Sequence, residues 1–205
     1  MTLVAVSKTR SPEAIREAFG AGARDFGENY AQEALPKIAA LSDLPITWHY
    51  IGALQTNKAR DVATHFDWVH GLDRAKHAAA LSRHRPASRG PLDVCIQVNI
   101  SAEATKGGVG AAEVGALARE VAALPGLRLR GLMGMASPVP DERRVRSEFA
   151  ALRAALEGLK REGYGVDTLS MGMTQDFEWA IAEGATMVRI GTAIFGERER
   201  KAVAA

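Results

Sequence analysis

The 205-residue sequence lacks several features that mark specialised protein classes. Its single cysteine, Cys95, excludes an internal disulfide framework and fits a reducing cytoplasm. No run of about 18 apolar residues is present, and the first residues have no signal-peptide pattern, so we expect no membrane association. The formal net charge is only +2, and no basic block is interleaved with aromatic residues. That composition argues against a nucleic-acid partner.

Several catalytic motifs are also missing. There is no Walker loop, no Gly-x-Ser-x-Gly elbow, and no Gly-x-Gly-x-x-Gly after the first apolar run. The five histidines show no ligand spacing with cysteines or acids, so we expect no metal site. His49 lies between Trp48 and Tyr50, and Cys95 lies in an apolar run. Both are expected to be core side chains rather than catalytic groups.

Short β-like runs alternate with amphipathic stretches along the whole chain. The predicted strands are residues 3–7, 25–27, 47–51, 67–71, 92–100, 129–133, 168–172 and 187–191. The predicted helices are residues 12–21, 30–41, 57–64, 74–83, 112–124, 141–162 and 175–183. Eight strands separated by helices indicate parallel pairing, in one domain over residues 1–205. We expect a closed (β/α)8 barrel of the TIM type, with a doubly wound open sheet as the alternative.

Lys8 directly follows the first predicted strand, which places an amine at the edge of the sheet. Most lysines are solvated surface charges, so the position alone predicts little. Lysine can, however, form a Schiff base with a carbonyl compound, including the aldehyde of pyridoxal 5′-phosphate (PLP). Lys8 is therefore a candidate only if other groups at the same edge suit such a ligand.

Two segments have the composition of a phosphate site. In a barrel of this kind, phosphate often binds in the loops after the seventh and eighth strands. These positions hold Ser170 and Thr174 in one segment, and Gly191 and Thr192 in the other. Glycine lets backbone N–H groups approach an anion, and the hydroxyls add donors. One such segment could be an ordinary turn, whereas two at the expected strand ends favour phosphate binding.

Arg189 lies inside an apolar strand between Val188 and Ile190. Because side chains alternate along a strand, outward Val188 and Ile190 would point Arg189 into the barrel. A buried arginine needs an acceptor, which could be an inward acid or a heteroaromatic nitrogen of a bound cofactor. The residues themselves leave both alternatives open.

Eight segments together identify a family. They are residues 5–9, 26–30, 48–52, 54–58, 97–99, 131–133, 169–174 and 188–196. In these segments and nearly end to end, the sequence resembles the YggS-type pyridoxal phosphate homeostasis proteins, which share the fold of the alanine racemase N-terminal domain.

The resemblance implies a PLP-binding barrel without established turnover, acting in PLP storage, supply or control. It matches Lys8 to the Schiff-base lysine and Arg189 to the residue facing the pyridine nitrogen. It places Ser170, Thr174, Gly191 and Thr192 in the phosphate-binding loops, and Asn29 in the pocket lining. It also implies a cytoplasmic protein that is a monomer and serves PLP-dependent apoenzymes. Thr174 stands where serine is more usual, which keeps the hydroxyl.

Two other functions remain as alternatives. The first is a PLP-dependent racemase or decarboxylase acting on amino acids. A racemase needs a second acid–base group from a further β domain, which we do not expect here, and an arginine at the ring nitrogen weakens the electron sink. The second is a cofactor-free barrel whose Lys8 attacks a substrate carbonyl.

One departure from the family concerns the start of the chain. Members usually have a helix before the first strand, and here the strand begins almost at residue 1. If the chain is complete as it stands, we expect Leu3 and Ala5 to be poorly covered, because barrel strands are buried on both faces. Poor cover would point to a natural start further upstream.

Overall fold

The computed structural model describes residues 1–103 and 106–197, in which eight parallel strands close into a barrel. Each strand pairs with the next along the chain, and the eighth pairs with the first. The strands are β1 Thr2–Val6, β2 Asp25–Glu28, β3 Thr47–Tyr50, β4 Trp68–Leu72, β5 Leu92–Val98, β6 Leu127–Gly134, β7 Thr168–Ser170 and β8 Met187–Ile190. The helices are α1 Pro12–Gly20, α2 Ala31–Ala40, α3 Ala59–His65, α4 Ala75–His84, α5 Val114–Ala122, α6 Glu142–Arg161, α7 Phe177–Ala182 and α8 Thr192–Phe195. No helix in the described residues is long and apolar enough to cross a membrane.

The closed barrel confirms the predicted fold, and the pairing of β1 with β8 excludes the open sheet. Side-chain caps start two of the helices, and the one before α1 was predicted. Ser11 caps α1 by accepting a hydrogen bond from the Ala14 N–H, and Pro12 takes the first helical position. Asp141 caps α6 in the same way, through the Arg144 N–H. These caps fix where each helix turns back onto the sheet.

Most boundaries differ from the prediction by one or two residues, and three of the differences have a visible cause. β5 ends at Val98 rather than residue 100, because the chain there pairs with Val109. β7 ends at Ser170, and Gly172 has a φ of +93°, which turns the chain out of the sheet. α7 begins at Phe177 rather than residue 175, because residues 173–176 form a turn in which Asp176 accepts the Met173 N–H. The short helix α8 was not predicted at all.

The barrel interior is part apolar and part polar. Its apolar side chains are Trp68, Cys95, Met133 and Met187. Cys95 is fully buried, as predicted, and burial raises the pKa of its thiol far above the usual range. The buried polar side chains of the strands include His49, His70, Ser170 and Arg189. A barrel of this type is more often filled by branched aliphatic residues. The polar half of this interior is therefore a candidate for a functional role.

The outer face of β1 is unevenly covered. Leu3 is 47% exposed, whereas Ala5 is completely buried in the main core. The prediction of poor cover is thus confirmed for Leu3 and wrong for Ala5. Ala5 is small enough to be enclosed by neighbours that leave the longer Leu3 side chain in solvent.

Candidate functional site

The predicted site residues gather at one end of the barrel. Because all strands are parallel, their carboxyl ends meet at the same rim. This rim carries the predicted residues that end a strand or follow one, namely Lys8, Asn29, Ser170, Thr174, Gly191 and Thr192. Arg189 is the last but one residue of β8 and lies just below the rim.

The loops after β7 and β8 line a common cavity. Its volume is about 320 Å³, and Thr174 and Thr192 face it from the two loops. Ala136, Pro138, Met173, Gln175 and Asp176 complete the lining. Two hydroxyls from separate loops can donate to the same group, as an anion site requires.

Gly172 is required by the packing beneath this cavity. A Cβ at this position would lie 2.6 Å from the Cβ of Ala180, and the positive φ also disfavours any other residue. Ser170, in contrast, lies within β7 rather than in the loop, and its hydroxyl is fully buried. The prediction that Ser170 lies in a phosphate-binding loop is therefore wrong. Its hydroxyl contacts Arg189 inside the barrel, and Thr174 and Thr192 remain as the hydroxyls of the two loops.

Arg189 points into the barrel, as the alternation predicts, and only 5% of it is exposed. Its guanidinium donates to Ser170 Oγ over 2.6 Å and to the Gly134 carbonyl over 3.1 Å. Burial lowers the pKa of Arg189 to about 10, which leaves the group charged at neutral pH. Neither of these two acceptors is a carboxylate, so the inward acid offered as one alternative is not what holds this arginine.

Lys8 is half-buried, and the residues on both sides of it are held by a buried ionic cluster. The Lys37 ammonium donates to the Ser7 carbonyl over 3.0 Å and to Glu28 Oε1 over 2.9 Å. It also donates to Glu33 Oε1 over 2.8 Å, and Glu33 accepts the Thr9 N–H. Ser7 and Thr9 flank Lys8, so the cluster of Lys37, Glu28 and Glu33 fixes the backbone that carries the amine.

The pKa values of the two carboxyl groups in the cluster are shifted in opposite directions. Burial raises the pKa of Glu28 above its usual value, and hydrogen bonds from Ser7 and Lys37 offset that rise only in part. Burial also acts to raise the pKa of Glu33, but the hydrogen bonds from Lys37 and the Thr9 N–H and the positive charge of Lys8 bring it below the usual value. Glu33 is thus the more acidic carboxyl of the cluster, and it is the one whose pKa the charge of Lys8 lowers.

Lys37 was missed in the sequence, although a signal was present. The pair Glu33 and Lys37 has the spacing of an ordinary surface ion pair. Lys37 also falls on the buried face of α2, three residues after Ala34 and six after Ala31. Helical periodicity alone could have placed it inside the protein.

The side chain of Asn29 has a buried acceptor atom for which the described part of the chain shows no donor. Its Oδ1 atom is buried and has no partner among the described residues. A buried acceptor without a donor costs about 1–3 kcal/mol, and such atoms often mark the place of a ligand. With the two threonine hydroxyls, the buried guanidinium and the amine of Lys8, this rim fits an anionic heteroaromatic aldehyde such as PLP.

In the residues that the structure describes, no group of three or more histidines, cysteines or acids is arranged to hold a metal ion.

Comparison with known proteins agrees with this chemistry. The family model of the alanine racemase N-terminal domain matches residues 1–199. The pyridoxal phosphate homeostasis protein of Pseudomonas aeruginosa is 55% identical over 197 residues, which cover 96% of this chain and 84% of the relative. The protein of the same name from Escherichia coli is 53% identical over 204 residues, covering 97% of this chain and 86% of the relative.

A solved structure is similar over the same extent. PipY of Synechococcus elongatus, solved without PLP, is 40% identical with a TM-score of 0.90, covering 96% of this chain and 93% of PipY. The structure of PipY with PLP bound superposes with a TM-score of 0.87 at 38% identity, covering 96% of this chain and 92% of that one. The chain therefore belongs to the alanine racemase N-terminal domain family and, within it, to the pyridoxal phosphate homeostasis proteins.

Proposed function

We propose that this protein binds PLP at the carboxyl rim of the barrel and takes part in the storage and supply of the cofactor. Lys8 holds the PLP aldehyde as a Schiff base. Thr174, Gly191 and Thr192 hold the phosphate. Arg189, with Ser170 behind it, faces the ring nitrogen, and Asn29 lines the pocket. Residues 1–205 form a single PLP-binding domain, of which residues 104–105 and 198–205 lie outside the described structure.

The proposal rests mainly on one observation. Thr174 and Thr192, from the loops after β7 and β8, line one cavity at the same rim as Lys8. If these hydroxyls held the dianionic phosphate of PLP, the buried guanidinium of Arg189 would be the donor available to its pyridine ring. The PLP bound in PipY and the names of the relatives support the same ligand.

Each residue has a distinct task in this proposal. Bound PLP supplies an aldehyde that condenses with a lysine amine, with loss of water. The Lys37 cluster holds Lys8 in place by binding the backbone on both sides of it. The positive charge of Lys8 helps to lower the pKa of Glu33, so the two side chains interact at the rim. An amine must be uncharged to condense with an aldehyde.

Storage rather than turnover fits the position of Arg189. Its guanidinium stays charged at neutral pH and is held by two hydrogen bonds to neutral acceptors. A charged donor at the ring nitrogen leaves that nitrogen unprotonated, which weakens the ring as an electron sink. We propose that the protein acts in the cytoplasm as a monomer and gives PLP to PLP-dependent apoenzymes, without catalysing reactions of amino acids.

An absorbance titration with PLP tests the proposal. The protein should develop the visible absorption band of a lysine Schiff base, which the Lys8→Ala variant should lack. The matched control is Lys76→Ala on the exposed face of α4, which should keep the band. A band that persists in Lys8→Ala would contradict the assignment, and turnover of an amino acid by the loaded protein would contradict the storage role.

A further inference from the structure

The polar side chains inside the barrel form one continuous chain of hydrogen bonds. Asp25 Oδ1 is 2.9 Å from His49 Nε2, and His49 Nδ1 is 2.9 Å from His70 Nε2. His70 Nδ1 is 2.7 Å from Ser170 Oγ, which also accepts from Arg189 over 2.6 Å. Five side chains from five different strands are thus connected in series.

This chain of bonds runs through the barrel from one end to the other. Asp25 is the first residue of β2 and its side chain is partly exposed at the amino end. Ser170 is the last residue of β7 at the carboxyl end. His49, His70 and Ser170 are completely buried between these ends. The series therefore connects the solvent at one end to the proposed cofactor site at the other.

The two terminal groups fix the direction of every hydrogen bond. Arginine can only donate and an ionised carboxylate can only accept. Ser170 Oγ accepts from Arg189, so its own proton is available for His70 Nδ1. His70 then carries its proton on Nε2 and donates to His49 Nδ1. His49 in turn carries its proton on Nε2 and donates to Asp25.

The opposite direction leaves groups unsatisfied. If His70 donated from Nδ1 to Ser170, the buried Ser170 O–H would lose its acceptor. Among the described residues Ser170 Oγ contacts only His70 and Arg189, and the Arg189 guanidinium is itself a donor. A buried hydroxyl without a partner is unfavourable. A neutral His49 that donated from Nδ1 would also turn a lone pair toward the Asp25 carboxylate. Burial and the charge of Arg189 further keep His70 neutral, because they lower its pKa well below the usual value.

We propose that His49, His70 and Ser170 form a one-directional relay that positions the Arg189 guanidinium against the ring nitrogen of the ligand. The relay gives Arg189 a fixed acceptor and connects it to the negative charge of Asp25 at the far end of the barrel. The histidines are positioning residues that act through Ser170. The inference extends the proposed PLP site, on which its functional part rests.

The protonation pattern of the histidines tests the relay without any ligand. The chain has only five histidines, so their ¹⁵N signals can be assigned with single substitutions. In the protein without PLP, His49 and His70 should both show protonated Nε2 and unprotonated Nδ1 at neutral pH. A proton on Nδ1 of either ring would overturn the relay.

A pair of substitutions at one position tests its role in binding. His70→Asn keeps an oxygen near the place of Nδ1, which can still accept from Ser170, whereas His70→Leu keeps none. We expect His70→Leu to weaken PLP binding roughly tenfold, near the upper end of the range for one neutral hydrogen bond, and His70→Asn to restore most of the affinity. Equal losses in the two variants would overturn the positioning role.

The two measurements separate this inference from the proposed function. If the unmodified protein bound no PLP, the proposed function would fail, and the histidine protons would still decide whether the relay exists. If PLP bound normally but His70 carried its proton on Nδ1, the relay alone would fail.

Discussion

Replacement of Lys37 by methionine should destabilise the protein more than any ordinary lysine substitution. Methionine keeps most of the length and apolar volume of the lysine stem, so the change mainly removes the ammonium group. The Lys37 side chain is 8% exposed and that of its partner Glu28 is 0% exposed. Without Lys37, the one donor left to the Glu28 carboxylate within the described part of the chain is Ser7 Oγ, at 2.6 Å.

The magnitude follows from burial. Removing one partner of a buried ion pair costs about 3–5 kcal/mol, because the other charge stays buried without compensation. Glu33 adds little, since its side chain is 30% exposed and pairs of that kind are worth about 1 kcal/mol or less. The free energy of unfolding should therefore fall by about 3–5 kcal/mol at neutral pH, a large part of the usual stability of a domain.

The loss should depend on pH in a definite direction. The folded-state pKa of Glu28 already lies above its ordinary value of 4.5, with burial as the main cause. A carboxyl of this kind contributes stability below its unfolded pKa, and that contribution is lost as pH rises through the folded pKa. Because Lys37 lowers this folded pKa, its removal extends the loss to higher pH. The deficit relative to the unmodified protein should be smaller near pH 4.5 than at pH 7.

Urea unfolding followed by tryptophan fluorescence, without PLP, measures these quantities. The double variant Lys37→Met with Glu28→Gln removes the buried charge and should recover most of the loss. Lys76→Met, on the exposed face of α4, should stay within about 0.5 kcal/mol of the unmodified protein. A loss below about 1 kcal/mol in Lys37→Met, or no recovery in the double variant, would refute the account of this cluster.

Three further predictions follow from the site and its packing. Thr174→Val and Thr192→Val should each weaken PLP binding by about 1.5–3 kcal/mol in equilibrium dialysis, and unchanged affinity in both would place the phosphate elsewhere. Cys95 should resist iodoacetamide in the folded protein and react fully in urea, because burial raises the pKa of its thiol, so fast labelling of the folded protein would contradict its burial. Gly172→Ala should lower the free energy of unfolding by about 1–3 kcal/mol, since its Cβ would meet Ala180, and a neutral result would mean that this contact relaxes.

The fold could be predicted because its signal is distributed along the whole chain. Eight apolar runs separated by amphipathic helices leave few arrangements other than a parallel barrel. The exact strand ends could not be predicted in the same way. β5 stops at Val98 because residues 97–99 pair with Val109, a contact that no pattern within the strand reveals.

The site could be predicted only in part, for a related reason. Lys8, Thr174 and Thr192 follow strands directly, so the barrel topology alone brings them to one rim. Lys37 enters from the second turn of α2 and meets Glu28 from the adjoining strand, so its role depends on side-chain packing. The bond between His70 and Ser170 joins residues 100 positions apart, and only the closed barrel brings them together.

The most direct test of the account is to locate the covalent bond to PLP. The protein is loaded with PLP, reduced with borohydride so that a lysine Schiff base becomes a stable secondary amine, digested, and mapped by mass spectrometry. The account predicts that the modified residue is Lys8, with Lys37 and the other lysines unmodified. Attachment at another lysine, or the absence of any adduct, would contradict the central claim that Lys8 at the end of β1 holds the cofactor.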